Sequence, residues 1–176
     1  EDDKEVHWNE ENDFFYYPGQ ALTLPTDSPK GMKPYEELPA MATGNNCYSP
    51  SPGINDWYET VKLNYGDSHT GTWDKMYDIL DFWASEGVNG FRCDMVELVP
   101  PQFFKWAIEK LKAKYPDVIF IAEVYKKELY EEYIRSVGFD YLYDKSGLYD
   151  TLRSVVEKNV SDNGMPVELW QSTSGI

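Results

Sequence analysis

Two short apolar runs, residues 88–94 and 118–124, constrain the fold of this chain more than any other feature. The first run closes with Asp94, and the second carries Glu123 next to its end. Between them lies a segment with apolar residues at helical spacing, long enough to return across a sheet. The order of strand, helix and strand predicts a βαβ unit with parallel strands, which are buried on both faces and therefore read as apolar runs.

The spacing of the two carboxylates agrees with this unit. They lie 29 residues apart, close to the roughly 30 residues of one βαβ repeat. Both are then expected at the C-terminal ends of neighbouring strands, the edge where parallel α/β folds form active sites. Neighbouring strands lie about 4.8 Å apart, which allows the carboxyl groups to approach to about 5 Å. Carboxyl groups about 5–5.5 Å apart suit a retaining glycosidase, whereas an inverting one needs about 6.5–9.5 Å.

Arg92 lies two residues before Asp94, so both side chains are expected on the same face of the strand. A nearby guanidinium favours the ionised carboxylate that a nucleophile needs. Glu123 follows four apolar residues, and an apolar environment favours the protonated form that a general acid needs. The alternative is a structural salt bridge between Arg92 and Asp94, with Glu123 solvated at a strand end.

Two motifs in this order resemble those of a known family. Residues 90–94 read Gly-Phe-Arg-Cys-Asp and residues 122–124 read Ala-Glu-Val. At this spacing they resemble the α-amylase family of retaining α-glucan hydrolases. The wider match runs through residues 63–64, 82–83, 87–90 and 138–140.

The resemblance implies an α/β fold that is part of a TIM (β/α)8 barrel, with an excursion after the third barrel strand. It implies Asp94 as the nucleophile, Glu123 as the acid/base and Arg92 as the residue that orients the nucleophile. Arg92 and Tyr125 are predicted to bind substrate, an α-glucan oligosaccharide or polysaccharide. A transglycosylase or isomerase of the family would share this chemistry, with another sugar in place of water.

The sequence departs from the family pattern at several positions. Glu97 and Leu98 stand where the family commonly has Lys-His, and Lys62 stands where it often has an acidic residue that helps to hold calcium. The strand-three motif ending in Asn-His and the strand-seven motif with a third catalytic Asp have no counterpart in the chain. We therefore assign no metal ligand and no certain cofactor, and keep calcium as the cofactor to test.

Length and composition suggest how the barrel is divided. The chain has 176 residues, whereas a complete barrel needs about 250 and the smallest about 200. Residues 1–68 are rich in Pro and Gly and predict an irregular, loop-rich excursion, and residues 69–176 are expected to carry barrel strands four to six. Such a segment would have bare strand edges, so we expect it to be inactive alone and to self-associate or need the rest of the barrel.

The apolar periodicity predicts the individual elements. Strands are expected over residues 88–94, 118–124 and 139–143. Helices are expected over about 72–86, between Pro100 and Pro116, over 129–137 and over 148–158. Buried faces are predicted for three of these helices: Met76, Ile79, Leu80 and Trp83 in the first, Phe104, Ala107, Ile108 and Leu111 in the second, and Leu148, Leu152, Val155 and Val156 in the last. Thr72 is predicted as an N-cap and Gly87 as a C-cap.

Charge and cysteine content exclude other classes of function. The net charge of −15 argues against nucleic acid as a partner, since a phosphate-binding protein needs a basic face. No apolar run approaches the roughly 18 residues of a membrane span.

Cys93 is expected to face the outer helices as a small apolar group. Together with Cys47, His7 and His69 it shows no metal-ligand spacing.

A second hypothesis belongs to a different functional class. An amylase-like domain without activity could bind sugar or a protein partner while keeping the barrel. Such domains usually lose a catalytic carboxylate. Asp94, Glu123 and Arg92 are all present, which favours the enzyme over the binding domain.

Overall fold

The computed structural model of the chain describes residues 13–17, 23, 25, 40–41 and 43–157. Contacts group the chain into two units, Glu1–Met76 and Tyr77–Ile176. The sequence predicted a division between residues 68 and 69. The assignment of the two parts to an excursion and to barrel units stays a prediction.

The first unit contains short strands and long loops. Strands β1 (Tyr16–Tyr17) and β2 (Ala40–Met41) pair antiparallel. Phe14, just before β1, forms an isolated antiparallel bridge with Leu63. Residues 43–70 consist of turns and irregular backbone apart from that bridge, which agrees with the loop-rich character predicted for this region.

Side-chain hydrogen bonds order the loop over residues 43–60. The two carboxylate oxygens of Asp56 accept hydrogen bonds from Asn45 Nδ2 at 3.0 Å and from the N–H of Gly53 at 2.7 Å. These donors lower the pKa of Asp56 from its ordinary value. Polar contacts thus replace a regular backbone ladder in this part of the chain.

Helix α1 (Gly71–Ser85) begins one residue earlier than the sequence predicted. Thr72 therefore lies inside the helix, and its assignment as the N-cap is wrong. Its hydroxyl donates to Asp13 Oδ1 at 3.1 Å, and Lys75 forms an ion pair with the same carboxylate. The side chain that was expected to cap the helix instead ties it to residue 13 within the first unit.

The C-terminal end of α1 has the cap that the sequence predicted. Gly87 has φ +92°, a left-handed conformation that glycine adopts at little cost. The N–H of Gly87 donates to the Ala84 carbonyl at 3.1 Å, and the N–H of Val88 donates to the Trp83 carbonyl at 3.3 Å. These two bonds form a Schellman motif, which directs the chain from the helix into the next strand.

The second unit contains a parallel sheet in the order β3 (Gly90–Cys93), β4 (Ile119–Val124) and β5 (Tyr141–Asp144). All strand pairs are parallel, with Gly90 opposite Ile119 and Ile121 opposite Tyr141. The parallel α/β arrangement predicted from the sequence is confirmed. These strands were predicted as barrel strands four, five and six, and that numbering stays a prediction.

Helix α2 (Pro101–Lys114) connects β3 to β4, and its Phe104 packs against Phe139, whose ring also contacts Phe120 of β4. Its predicted apolar face is confirmed: Phe104, Ala107, Ile108 and Leu111 are all buried. From the sheet, Phe120 and Ala122 are completely buried as well. The core of the second unit therefore includes the apolar face of α2 and alternate residues of β4, as strand periodicity requires.

Irregular helices follow β4 and β5. The predicted helix over 129–137 is a short 3-10 turn, Lys127–Leu129, that leads into a π-helical segment, Glu132–Val137. A second π-helical turn, Lys145–Tyr149, follows β5 and continues into helix α3 (Asp150–Glu157). The predicted end of this last helix, residue 158, lies outside the described residues.

The apolar faces predicted for α1 and α3 are partly wrong. Ile79 and Trp83 of α1 are half exposed, and Leu152 and Val156 of α3 are exposed as well. The spacing of these residues is helical, but burial also needs a neighbouring element, and no described part of the chain covers these sides. The side chain of Val155 lies outside the described set.

Candidate active site

The register of the sheet places the two predicted carboxylates side by side. Cys93 of β3 is paired with Ala122 of β4. Asp94 and Glu123 are the next residues on each strand, so they emerge together at the C-terminal edge of the sheet. Phe120 and Ala122 point to the buried face of β4, whereas Glu123 points to the other face together with Arg92.

One guanidinium joins both carboxylates. Arg92 Nη1 forms an ion pair with Asp94 Oδ1, and Arg92 Nη2 lies 3.1 Å from Glu123 Oε1. The side chain of Asp94 is 68% exposed, whereas that of Glu123 is 12% exposed. The salt bridge between Arg92 and Asp94, which the structural alternative predicted, is present. Arg92 also pairs with Glu123, and the side chain of Glu123 is mostly buried rather than solvated.

Hydrogen-bond donors surround Glu123, so the predicted apolar environment is wrong. Its Oε1 accepts a hydrogen bond from the Tyr125 hydroxyl at 2.9 Å, in addition to the contact with Arg92. Its Oε2 accepts one from the N–H of Met95 at 3.1 Å. The apolar neighbours in sequence alternate between the faces of β4, whereas the Glu123 carboxylate contacts a backbone N–H, a phenol and a guanidinium.

Its neighbours favour the ionised form of Asp94. A hydrogen bond with the Glu123 carboxyl and the ion pair with Arg92 lower the pKa of Asp94 from its ordinary value. Asp94 is therefore held in the ionised state that its predicted role requires. The hydrogen bond to Glu123 and burial raise the pKa of Tyr125, so this phenol keeps its proton and acts as a donor.

Met95 has an unusual backbone conformation next to the site. Its φ and ψ are both 45°, a left-handed conformation that is uncommon for residues other than glycine. Non-glycine residues in this conformation often occur at functional sites. This turn brings the N–H of Met95 to Glu123, a contact for which the sequence offers no local pattern.

Tyr143 also belongs to the site, although the sequence did not single it out. It is the β5 residue paired with Glu123, and its ring lies under the guanidinium of Arg92, with Cζ 5.3 Å from the ring centroid. Hydrogen bonds with Asp94 and Tyr143 raise the pKa of Arg92. The available signal was the position of Tyr143 in the third predicted strand.

Glu97 occupies a position that the sequence identified only as a departure from the family. Its Oε1 accepts hydrogen bonds from the N–H groups of Tyr125 and Lys126. Its side chain is largely buried. Glu97 thus connects the turn after β3 to the segment after β4.

No metal ligand was assigned from the sequence, and calcium remains the cofactor to test. Among the described residues, no cluster of three or more His, Cys, Asp or Glu side chains could hold a metal ion, and His7 lies outside them. Lys62, at the position where the family often has an acidic calcium ligand, lies over the ring of Tyr48, with Nζ 5.8 Å from the ring centroid.

Both cysteines are free thiols, and burial raises the pKa of Cys93 to about 12.

Within the described part of the chain, no helix combines the length and the apolar character that crossing a bilayer requires.

Comparison with known proteins finds similarity to enzymes whose names refer to α-glucans. No family model matches the chain. The chain is 29% identical over 141 residues to an alpha-1,4-glucan:maltose-1-phosphate maltosyltransferase of Rhodospirillum rubrum, an alignment that covers 76% of this chain and 20% of that protein. The chain spans about a fifth of the length of the curated relatives it matches.

Two solved structures of enzymes named for α-glucan substrates also match the chain. An alpha-amylase from Lactobacillus plantarum matches with a TM-score of 0.51 and 30% identity, over 68% of this chain and 30% of that one. A cyclic alpha-maltosyl-(1→6)-maltose hydrolase from Arthrobacter globiformis matches with a TM-score of 0.56 and 17% identity, over 68% of this chain and 26% of that one, which supports the fold. The parallel sheet is consistent with part of the TIM barrel of these proteins. These matches support the chain as a fragment of an α-amylase family glycoside hydrolase.

Proposed function

We propose that this chain supplies the nucleophile and the acid/base of an enzyme that hydrolyses α-glucosidic bonds in starch-like glucans with retention. The observation that carries the proposal is the pair Asp94 and Glu123, joined by one guanidinium at the C-terminal edge of the sheet. The comparisons support the family and the α-glucan substrate class. Hydrolysis with retention is the finer step that we add.

In the proposed reaction, Asp94 attacks the anomeric carbon and forms a covalent glycosyl-enzyme. Glu123 protonates the oxygen of the leaving sugar, then takes a proton from the water that releases the product. The exposed, ionised carboxylate of Asp94 suits the attacking group. Arg92 keeps both carboxylates at a fixed separation, which provides the orientation that such a displacement needs.

Tyr125 receives a modified role in this proposal. The sequence predicted it as a substrate-binding residue, and its hydroxyl donates to Glu123. We propose that it orients the acid/base from this position. Contact of Tyr125 and Arg92 with the sugar remains part of the proposal, because both side chains lie at the same edge as Asp94.

We also propose that the active enzyme contains the rest of the barrel, since the chain spans about a fifth of its curated relatives. Residues 69–176 would then carry strands four to six, and residues 1–68 the excursion. The purified 176-residue chain is expected to show little starch hydrolysis and to self-associate through its exposed apolar residues. Sedimentation and a starch assay test this; robust hydrolysis by a monomer would contradict it.

Transfer rather than hydrolysis is the second candidate, because the curated relatives are named as maltosyltransferases. The reaction is identical up to the glycosyl-enzyme and differs in the group that accepts the sugar. Products formed from a maltooligosaccharide by the full-length protein distinguish the two. Shorter sugars with new reducing ends indicate hydrolysis, whereas longer chains indicate transfer.

The test of the shared chemistry is covalent trapping. A fluorosugar that accumulates the glycosyl-enzyme of retaining α-glycosidases should label the full-length protein on the peptide that contains Asp94. The variant Asp94→Asn should not be labelled, whereas Asp78→Asn, in an exposed position of α1, should be labelled normally. Turnover of maltooligosaccharides with the label on another residue would refute the assignment. Absence of both label and turnover would favour the non-catalytic binding domain.

A further inference from the structure

We infer that Glu97 is a positioning residue that holds Tyr125 against Glu123. This inference rests on the proposed function, because it assigns a further role in the same site. Glu97 lies in the turn after β3, three residues beyond Asp94, and its carboxylate reaches the chain that leaves the neighbouring strand.

The first step of the argument is the contact between Glu97 and the backbone. A single oxygen, Oε1, accepts hydrogen bonds from the N–H of Tyr125 at 2.6 Å and the N–H of Lys126 at 2.7 Å. Since β4 ends at Val124, these N–H groups lie beyond the strand ladder and need another acceptor. Hydrogen bonds to a charged acceptor are about twice as strong as neutral ones.

The second step is that Glu97 is itself held in place. It belongs to a short 3-10 helix, Val96–Leu98, in which Val96 is completely buried. The carbonyl of Val96 accepts a hydrogen bond from the Tyr133 hydroxyl at 3.2 Å. The side chain of Glu97 is only 12% exposed, so the turn presents a fixed carboxylate.

The third step leads to the acid/base. With its backbone held by Glu97, Tyr125 donates its hydroxyl to Glu123 Oε1 at 2.9 Å. Loss of the Glu97 carboxylate should therefore release Tyr125 and reduce the alignment of Glu123. The effect should be greatest in the step that needs proton transfer from Glu123.

Two substrates separate this role from a general loss of structure. A maltooligosaccharide needs protonation of its leaving oxygen, whereas α-maltosyl fluoride releases fluoride without that assistance. We would measure kcat/KM for both substrates in the full-length protein as wild type, Glu97→Ala and Glu97→Gln. Glu109→Ala, in an exposed position of α2, serves as the control. Hydrogen exchange at the Tyr125 and Lys126 amides would be measured in the same proteins.

We expect Glu97→Ala to lower the ratio of the two kcat/KM values, oligosaccharide over fluoride, by about tenfold or more. The Tyr125 and Lys126 amides should exchange faster in this variant. Glu97→Gln retains Oε1, the oxygen that accepts both hydrogen bonds, and should therefore stay close to the wild type. Glu109→Ala should change neither the ratio nor the exchange.

Equal losses on both substrates would overturn the role of Glu97, because a merely structural residue would affect both alike. A loss in Glu97→Gln as large as that in Glu97→Ala would also overturn it. A wild-type protein that turns over neither substrate would overturn the proposed function itself and this role with it.

Discussion

Nη2 of Arg92 lies 3.1 Å from Oε1 of Glu123, although the sequence paired Arg92 only with Asp94. The planar guanidinium has donors pointing in two directions, which allows it to contact both carboxylates at once. The distance between the two carboxylates is therefore set by one side chain as well as by the strand register.

Replacement of Arg92 by Lys should lower kcat of the full-length enzyme by about a hundredfold. Lysine keeps the positive charge, but a compact ammonium cannot hold two carboxylates in a fixed geometry. Steady-state kinetics on maltooligosaccharides would measure this loss. Activity of the Lys variant close to that of the wild type would show that charge alone is sufficient.

The ionisation of Asp94 should depend on Arg92. Contacts with Glu123 and Arg92 hold the pKa of Asp94 below its ordinary value, so the carboxylate stays charged until the pH falls through that lowered value. In Arg92→Gln the pKa should rise, and protonation should begin at a higher pH. NMR titration of the Asp94 carboxyl in both proteins would measure the shift. A fall in the pKa of Asp94 in the variant would contradict the assignment.

Substitution of Tyr143 should separate the contribution of its ring from that of its hydroxyl. Tyr143→Leu removes the stacking surface under Arg92 and should lower kcat/KM by about two- to fivefold, since cation–π contacts at exposed sites contribute about 0.5–1 kcal/mol. Tyr143→Phe keeps the ring and should lose less. Larger loss in the Phe variant than in the Leu variant would show that the hydroxyl, not the ring, supports Arg92.

Two glycines around β3 should differ in their tolerance of alanine. At Gly87 a new Cβ would meet no atom within 4 Å, so only the positive φ of +92° opposes it. At Gly90 the Cβ would lie 2.6 Å from the Ile119 carbonyl oxygen. Gly87→Ala should cost about 1 kcal/mol of the free energy of unfolding. Gly90→Ala should cost more because the strands must separate, and chemical denaturation of both variants would compare them.

The sequence predicted best those features that depend on one element and its immediate neighbour. The apolar face of α2 was correct because its spacing is helical and a partner of that face, Phe139, follows in the same unit. The faces of α1 and α3 have the same kind of spacing, yet Trp83 and Val156 are exposed. Periodicity identifies a face that can be buried, whereas burial itself depends on a covering element.

The sequence predicted that Asp94 and Glu123 lie side by side, but not which groups surround them. The two carboxylates were expected together because each follows an apolar run at βαβ spacing, and their catalytic roles stay a prediction. The donors around Glu123 come from a backbone N–H and from Tyr125, and the contact of Glu97 joins residues 28 apart in sequence. Contacts to backbone groups across strands leave no residue-type pattern that a single sequence can reveal.

In the proposed reaction, the positive charge of Arg92 is offset by different carboxylates at different stages. When a sugar is esterified to Asp94, that side chain loses its negative charge, and of the two acidic partners of Arg92 only Glu123 can still offset the cation. This happens in the half-cycle in which Glu123 has to take a proton from water. Arg92 can thus stabilise the ionised form of Asp94 before the attack and the ionised form of Glu123 afterwards. Neither step requires movement of the strands that carry the two residues.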